Sequence, residues 1–508
     1  MTLTYSPIVR RILFFSVITI FFLSSTVLII HSFGYRYSFE KGIFIYTGSI
    51  TLKTNPQQVT IDINGEGLEK SKKLNYINSS QQINSLRPGK YHLDIKSPGF
   101  QTWSKNIIVE SGKSTEFWNV LLPRETYETQ DIDLQNIIGM YPSPNSDEVA
   151  VARFNGEEFS IDILDTDTLL AEKIFSSTTY TRPEEWKHNI EWSPDNEMLL
   201  IPVVPIPEKN NQDVHFTTEE QLPSEILLLD RETNQSQQLS SLFLPDSSMK
   251  RSFYDIRWGS GNNDIYSISG TSLIVLEEKG SREWERRVIF ENVLSFNFTA
   301  SHIYLLKENG MIYEVNKDFE DERQVTTSQP QEFDSKSRIS LVMYDEHRGA
   351  IHSQEGKLWI WNKGKKGNYF HLQKENIQGT QFSNDGKKIL FWSDTAIWVY
   401  FTRDWESQPN REENTFIKIA NFLSPISNIS WMKQYEHILY TFQGSLYVVE
   451  LDQRDRRITS KLSPSLSEKP IILQIFNKDM VFFSKPNETN GNILSSFLFP
   501  EEITFFGF

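Results

Sequence analysis

Trp192-Ser193-Pro194-Asp195-Asn196 decides the fold, because variants of this stretch recur along most of the chain. Each variant begins with an aromatic residue, continues through a polar turn and leads into an apolar strand. The starting residues are Tyr141, Trp192, Trp258, Phe298, Tyr344, Phe382, Trp431 and Phe476. They are separated by 51, 66, 40, 46, 38, 49 and 45 residues. A repeat of about 40 to 50 residues is typical of the blades of a β-propeller.

Parts of the second half of the repeat also recur, at residues 226–233, 358–364 and 446–452. The units at Trp192 and Phe382 resemble the strand and turn signature of TolB-like and WD-type propellers. Eight starting residues predict eight blades, and seven is the alternative because two of the units match the pattern less well. A propeller closes its ring by pairing its first and last segments, so we expect residues 126–134 to complete the blade that ends at residues 503–506.

Two insertions lengthen the predicted blades. Residues 205–224 lie between the second and third strands of the second blade, on the face where the blade-to-blade connections and most ligands are expected. A loop of this length is commonly either functional or disordered. Its candidate ligand-binding residues are His215, Phe216, Glu219 and Glu220, which offer an aromatic and an acidic contact to a peptide or glycan. The second insertion, residues 403–415, follows a third strand and is expected on the opposite face.

Residues 47–122 alternate apolar and polar positions, with a hairpin turn predicted at Asn64-Gly65. Several segments resemble the PEGA domain family in order and spacing: Gly48-Ser49-Ile50, Asn55-Pro56, and residues 59–65, 86–91 and 99–103. The resemblance implies a small β-sandwich of the kind found in cell-envelope and surface-layer proteins, without catalytic residues. The chain departs from the family at Gln57-Gln58, where glycine and alanine are usual, and lacks the threonine-proline pair that normally follows the hairpin. Trp103 and Trp118 are expected to pack within the sheets rather than to bind a ligand.

Near the N-terminus, residues 12–30 contain no charge and would span roughly 28 Å as a helix, about the thickness of the hydrocarbon core of a bilayer. A cleavable signal peptide is the alternative, but the apolar run is longer than a usual signal core and no small-residue cleavage site follows it. Arg10 and Arg11 favour a cytoplasmic N-terminus. We therefore expect a single-pass protein of the cell membrane with an extracytoplasmic body.

The residues after the predicted span allow two interpretations. Phe33, Tyr35, Tyr37 and Phe39 either form an aromatic belt at the membrane surface or begin the next folded unit. The predicted order of segments is a cytoplasmic tail (1–11), a transmembrane helix (12–30), a juxtamembrane linker (31–46), a PEGA domain (47–122) and a β-propeller (125–508). The fold class is thus all-β after one N-terminal transmembrane helix.

The composition excludes several kinds of chemistry. The chain of 508 residues has no cysteine, so it offers neither a disulfide framework nor thiolate ligands for a metal. Its net charge of −15 argues against a nucleic-acid partner, which needs a basic surface. Asp162, Asp165 and Asp167 lack the glycine and the distal glutamate of a calcium loop, and Gly259-Ser260-Gly261 is interpreted as a turn rather than a nucleophile elbow. We predict no catalytic residue, no metal and no cofactor.

These features are typical of a non-enzymatic, membrane-anchored binding or scaffold protein of the cell envelope, with the propeller as its interaction platform. The expected partners are the membrane and a protein or cell-wall glycan. A surface-layer or cell-wall-associated structural component is the first alternative. A propeller-containing hydrolase is the second, although no hydrolase domain is expected because the predicted propeller extends to Phe508.

Overall fold

The computed structural model describes residues 6–38, 42–67, 72–73, 80–183, 189–206, 225–243, 254–259, 264–280, 283–373, 376–462, 466–467, 469–487 and 491–499. Within these ranges the chain forms β-strands almost throughout after one long N-terminal helix. This confirms the predicted fold class.

Helix α1 (Pro7–Ser32) begins before and ends after the predicted span, residues 12–30. Pro7 suits the first turn, where the amide hydrogens have no partner inside the helix. No residue of α1 is buried, and α1 is the one helix in the described part of the chain that is long and apolar enough to cross a membrane. The hydroxyl groups within the run bond to the helix itself, as when Thr19 donates to the carbonyl oxygen of Phe15 at 2.8 Å. Such internal bonds satisfy polar groups in an apolar environment.

A two-stranded antiparallel hairpin follows the helix, formed by β1 (Tyr35–Ser38) and β2 (Ile43–Tyr46). It occupies most of the segment predicted as a linker, residues 31–46, so a folded element replaces the expected connection. Phe39 lies outside the described residues. The interpretation that the aromatic residues begin a folded unit holds for Tyr35 and Tyr37, which lie in β1. The hairpin itself was not predicted, because its strands have only four residues each, too few for a periodic pattern to be recognised.

Two four-stranded sheets then enclose the first hydrophobic core. Their strands are β3 (Gly48–Asn55), β4 (Thr60–Ile63), β5 (Glu66–Gly67), β6 (Lys72–Lys73), β7 (Ser80–Leu86), β8 (Gly89–Lys96), β9 (Trp103–Val109) and β10 (Ser114–Leu121). The strand orders are β10-β3-β7-β6 and β5-β4-β8-β9. Alternate residues such as Ile50, Leu52, Leu93 and Ile95 are fully buried in one shared core. We call residues 48–122 the two-sheet unit.

The hairpin turn predicted for the two-sheet unit is present, whereas its strand β7 was not predicted. Asn64 and Gly65 have φ values of 52° and 82° and join β4 to β5, as expected of a turn that needs two left-handed residues. Strand β7 has the sequence SQQINSL, in which only Ile83 and Leu86 are apolar. The sequence signal was weak there because tertiary pairing with β3, not side-chain alternation, makes this segment a strand.

In the described part of the chain, eight further antiparallel sheets follow the two-sheet unit and form the β-propeller. Strand β11 (Gln130–Gln135) belongs to the last of them. The first sheet has β12 (Ile137–Pro142), β13 (Glu148–Phe154), β14 (Phe159–Asp165) and β15 (Ala171–Ser177). The second has β16 (Tyr180–Thr181), β17 (Glu191–Trp192), β18 (Met198–Pro205), β19 (Glu225–Asp230) and β20 (Ser236–Gln238), and it is followed by the one-turn helix α2 (Ser240–Phe243). The third has β21 (Tyr254–Trp258), β22 (Ile265–Ser269), β23 (Ser272–Glu278) and β24 (Trp284–Phe290), and the fourth has β25 (Val293–Phe298), β26 (His302–Lys307), β27 (Ile312–Asn316) and β28 (Arg323–Gln324).

The remaining sheets continue the same meander. The fifth has β29 (Ile339–Asp345), β30 (Arg348–Ser353), β31 (Leu358–Gly364) and β32 (Gly367–Gln373); the sixth has β33 (Ile377–Phe382), β34 (Lys388–Ser393), β35 (Ala396–Phe401) and β36 (Phe416–Asn421); the seventh has β37 (Ile426–Trp431), β38 (His437–Phe442), β39 (Ser445–Glu450) and β40 (Thr459–Lys461); the last has β41 (Ile472–Ile475), a 3-10 turn (Phe476–Lys478), β42 (Met480–Pro486) and β43 (Asn492–Leu498) together with β11. The core lies between consecutive sheets, as where Ile161 of the first packs with Leu199 and Leu229 of the second.

The ring closes by pairing β11 with β43, with Gln130 opposite Ser496 and Ile132 opposite Leu494. A closing strand close to residues 126–134 was therefore correctly expected. The predicted end of that blade, residues 503–506, lies outside the described residues, and the described partner of β11 is β43.

Most of the repeated aromatic residues lie at or next to the C-terminal end of a strand that precedes the second strand of a sheet (β18 in the second sheet), whereas Phe476 begins the 3-10 turn that follows β41. Three of them, all tryptophans, also bond to the preceding sheet. The indole of Trp192 donates to the carbonyl oxygen of Tyr141 at 2.9 Å, and that of Trp431 to the carbonyl oxygen of Gln381 at 3.1 Å. Trp258 donates in the same way to Glu191 at 3.2 Å. The repeat thus marks a contact between neighbouring blades, which explains why it can be read in the sequence.

Replacement of Trp192 with alanine is expected to lower the free energy of unfolding by about 3 to 5 kcal/mol, since a buried ring and its hydrogen bond are both lost. Trp192→Phe keeps most of the volume and should cost about 1 kcal/mol for the lost bond. Leu170→Ala is the control, because that side chain is 73% exposed. Urea denaturation of the detergent-solubilised chain, followed by circular dichroism, measures all three. A Trp192→Ala cost equal to that of the control would contradict this role.

Candidate functional site

The predicted ligand-binding residues His215, Phe216, Glu219 and Glu220 lie outside the described residues. The structure does describe the base of their loop. Strand β18 is prolonged to Pro205, where it pairs with β16 of the same sheet, and the amide of Ile206 donates to the carbonyl oxygen of Thr179 at 2.8 Å. The loop therefore leaves the propeller beside the connection that enters the second sheet, as its position between second and third strands predicts.

The other loops between second and third strands are short. Where a second strand meets a third elsewhere in the propeller, the connection has two to five residues. These connections are residues 155–158, 270–271, 308–311, 354–357, 394–395, 443–444 and 487–491. We call the face that carries them the insertion face. The segment 206–224 is much longer than its sheet needs, because two residues suffice to join the same strands in three other sheets.

The opposite face of the propeller carries the two-sheet unit. Gln408 lies in the second insertion, between β35 and β36, and its amide nitrogen donates to the carbonyl oxygen of Ser114 at 2.9 Å. Its amide oxygen accepts from the backbone of Glu116 at 3.1 Å. From the loop between β39 and β40, Arg454 donates to the carbonyl oxygen of Glu116 at 2.7 Å, and Asp455 accepts from the backbone of Asn106 at 2.8 Å. We call this contact the junction. The insertion 403–415 therefore lies on the predicted face, and it helps to hold the two-sheet unit against the propeller.

A fully buried lysine lies at the centre of the junction. Lys105, in β9, places its ammonium group 2.6 Å from a carboxylate oxygen of Glu450, and it donates to the carbonyl oxygen of Asp452 at 3.0 Å. The other carboxylate oxygen of Glu450 accepts from the indole of Trp103 at 3.2 Å. Burial raises the pKa of Glu450, and the charge of Lys105 acts in the opposite direction. Both charges are satisfied only while the two-sheet unit and the propeller stay together.

A second buried lysine lies beside the first. Lys388 pairs with Glu436, and its ammonium group is 4.0 Å from the centre of the Trp405 ring, which belongs to the second insertion. Burial raises the pKa of Glu436, while Lys388 opposes that shift. Burial, together with the charges of Lys388 and Lys105, lowers the pKa of His437 to about 4. His437 is therefore neutral near pH 7 and adds no third positive charge to the junction.

The junction encloses a small polar cavity. Its volume is about 30 Å³, and its lining includes Trp103, Trp118, Gln408, Glu436 and Glu450. A space of this size holds one or two water molecules. Pockets for small-molecule ligands are about ten times larger, on the order of 300 Å³ or more. The junction is therefore a structural interface. Trp103 packs in the core as expected and also bonds across the interface.

The remaining candidates from the sequence have structural partners. Asp162 accepts from Arg153 at 2.6 Å, and Asp165 accepts from the backbone of Thr168 at 2.7 Å. Asp167 lies 2.8 Å from Lys478. Ser260 lies outside the described residues. Among the residues that are described, no group of three or more acidic or histidine side chains is placed to hold a metal.

The first strands of the propeller contain polar contacts that the sequence did not reveal. Glu191 accepts from the backbone of Trp258 at 3.4 Å, and burial raises the pKa of Glu191 to about 7. In the next pair of sheets, Asp255 accepts from the hydroxyl of Ser295 at 2.7 Å, and that hydroxyl also accepts from the backbone of Leu341 at 3.0 Å. Each contact joins neighbouring sheets. These acidic groups therefore join neighbouring sheets of the ring. For Glu191, its position next to Trp192 is the signal that could have indicated this role.

Replacement of Lys105 with alanine is expected to destabilise the chain by about 3 to 5 kcal/mol, because Glu450 would remain buried without its cation. The double variant Lys105→Met, Glu450→Gln removes both charges and should recover most of that loss. Lys113→Ala, which removes an exposed ion pair with Glu110, is the control and should leave the free energy of unfolding nearly unchanged. Urea denaturation of the detergent-solubilised chain measures the free energy of unfolding of these three variants. A double variant as unstable as Lys105→Ala would show that the charge pair is not the cause.

Comparisons with known proteins add only weak similarities. No protein-family model matches this sequence, and no curated protein sequence matches it. Similar solved structures include the propeller of Dos1, with 10% identity over 73% of this chain and 94% of that chain and a TM-score of 0.46. Saccharomyces cerevisiae Sqt1 has 9% identity, coverage of 73% and 98%, and a TM-score of 0.43. The propeller domain of Myceliophteria thermophila Cps50 (Swd1) has 11% identity, coverage of 72% and 98%, and a TM-score of 0.40. With scores at this level, the β-propeller is assigned from the strand order described above.

Proposed function

We propose that this chain is a non-enzymatic, single-pass membrane protein of the cell envelope, and that the insertion face of its extracytoplasmic propeller binds a protein partner. One observation carries the proposal. The two-sheet unit is docked by buried charges on one face of the propeller, so the insertion face is turned away from it. The propeller thereby presents one complete face to a partner.

The arrangement along the chain supports a membrane anchor that precedes the two-sheet unit. Helix α1 has no buried residue, so its apolar surface lacks cover from the rest of the described chain. It is tied to the unit where the backbone and the hydroxyl of Thr47 both donate to the carbonyl oxygen of Gly34, at 3.0 and 2.7 Å. Arg10 and Arg11 precede the apolar run and favour a cytoplasmic N-terminus. The two-sheet unit would then separate the membrane from the propeller.

We infer that the two-sheet unit is a PEGA domain that acts as a spacer. The inference is supported by the position of its family-like segments. Gly48-Ser49-Ile50 opens β3, Asn64-Gly65 forms the first hairpin turn, and residues 86–91 lead from β7 into β8. The departure at Gln57-Gln58 lies in the connection between β3 and β4 and leaves both strands intact. A spacer needs a stable core and defined ends, and the unit has both.

The anchor is tested by labelling single cysteines, which the chain permits because it has no native cysteine. A membrane-impermeant maleimide should label Lys113→Cys in intact cells, since this side chain is 72% exposed on the two-sheet unit. Ser6→Cys is the matched variant on the other side of the helix, where Ser6 makes no side-chain capping bond, and it should react only after permeabilisation. Labelling of Ser6→Cys alone in intact cells would reverse the orientation. Loss of the Ser6 region from the mature chain would identify a cleaved signal peptide.

The binding face is tested by a photo-crosslinking amino acid at three exposed turns. Gln354 and Asp394 lie on the insertion face, and Asp318 lies on the opposite face between β27 and β28. We expect a crosslinked product of the same mass from Gln354 and Asp394 in intact cells, and none from Asp318. Products from Asp318 alone would contradict the proposed face. Products that contain only this chain would favour a self-assembling structural component instead.

A further inference from the structure

The hairpin of β1 and β2 has one face made entirely of aromatic rings. Residues that are directly opposite in an antiparallel pair point to the same side. Tyr35 is opposite Tyr46, and Tyr37 is opposite Phe44. The first pair is stacked with ring centres 4.6 Å apart, and the second meets edge to face at 5.3 Å. Four rings therefore form a continuous strip along one side of the hairpin, which we call the aromatic strip.

Contacts at its base hold the strip in a fixed position. The ring of Tyr46 lies against Gly112, where an added Cβ would come within 2.2 Å of the ring, so only glycine fits there. The hydroxyl of Ser111 donates to the carbonyl oxygen of Tyr46 at 2.9 Å. On the other side of the hairpin, Arg36 donates to the hydroxyl of Ser85 at 3.1 Å and to the carbonyl oxygen of His31 at 2.9 Å. Arg36 thus joins the two-sheet unit to the C-terminal end of α1, where a cation is favourable.

The outer part of the hairpin is exposed to an unusual degree for apolar side chains. The exposed fraction is 53% for Phe44, 46% for Tyr37 and 55% for Ile43, and that of Phe33 at the end of α1 is 64%. A two-stranded hairpin is marginally stable in water by itself. This hairpin is held at its base by the two-sheet unit, but the side chains of Tyr37, Ile43 and Phe44 remain about half exposed.

We propose that the aromatic strip lies in the interfacial zone of the lipid bilayer, between the headgroups and the acyl chains. The proposal rests on the proposed membrane anchor. The exposed side chains begin at the last turn of α1, so a helix that crosses the bilayer would bring them to its surface. Tyrosine and phenylalanine suit that zone, because their rings prefer an apolar environment and the tyrosine hydroxyl can stay hydrated. Lipid is favoured over a protein partner by this continuity of the exposed surface with the helix.

Two points of attachment would fix the orientation of the body. A single helix leaves the body free to tilt at the membrane surface. With the strip also embedded, the two-sheet unit is held at both α1 and the hairpin. The junction then transmits that orientation to the propeller.

The test places an environment-sensitive fluorophore on single cysteines in the full chain, reconstituted in vesicles of phosphatidylethanolamine and phosphatidylglycerol. Phe44→Cys and Tyr37→Cys probe the strip. Phe22→Cys, in the middle of α1, is the buried reference, and Lys113→Cys is the exposed reference. An interfacial side chain lies about 5 to 10 Å below the lipid surface. We therefore expect blue-shifted emission at Phe44 and Tyr37, with stronger quenching by a spin label near the headgroup than by one deep in the acyl chain.

The labels at the two reference positions, Phe22 and Lys113, distinguish a failure of this inference from a failure of the proposed membrane anchor. If the label at Phe22 is quenched by the deep spin label while those at Phe44 and Tyr37 both behave like the label at Lys113, the anchor stands and the strip is not in the membrane. If the label at Phe22 is not quenched either, the anchor itself fails. Quenching at either strip position by the headgroup spin label supports the proposal, and the use of two positions guards against one substitution that disturbs the hairpin.

Discussion

Pairing of β11 with β43 is the contact on which the rest of the structure depends, because it closes the propeller. Without β11, β43 would be an exposed edge strand of the last sheet, and exposed edges pair readily with other chains. Side chains reinforce the closure. Lys485 and Ser495 donate to Asp131 and hold the pKa of that carboxyl below its ordinary value, at distances of 2.6 and 2.7 Å. Asn492 accepts from the backbone of Ile137, 355 residues away, at 2.6 Å. The ring therefore cannot close until the last sheet exists.

The closing strand also determines where the two-sheet unit is placed. Few residues separate β10 from β11, and they are held in position: Arg124 bridges to Phe100, and the ring of Tyr127 is 4.7 Å from that of Phe497. Strand β11 enters the last sheet at the end where β43 finishes, so the unit must lie on that face of the propeller. The long loops of the sixth and seventh sheets then meet it. The pair of Lys105 and Glu450 makes this docking specific, because neither charge is stable in the interior without the other.

The sequence was most informative where a local feature and a long-range contact depend on the same residue. The aromatic repeat predicted the propeller because its tryptophans bond the preceding blade, and the spacing of those contacts is set by the size of a blade. Strand β7 was not predicted because its pairing with β3, and not its own pattern, makes it a strand, and the hairpin of β1 and β2 was not predicted because each of its strands has only four residues. Lys105 was missed although a signal was present: in β9 it alternates in phase with Trp103 and Ile107, which are core residues. A charge in that register predicts a buried partner, but not which residue supplies it.

The lengths of the loops on the two faces argue for different roles. On the docked face, residues 402–415 and 451–458 are long, and their side chains are occupied with Ser114, Glu116 and Asn106 of the two-sheet unit. Their length is thus accounted for by contacts within the chain. On the insertion face, two to five residues are enough to join second and third strands in the other sheets, so the fold does not require the segment 206–224. A loop that the fold does not require, on the face left open by the docked unit, is the strongest reason to look there for a partner.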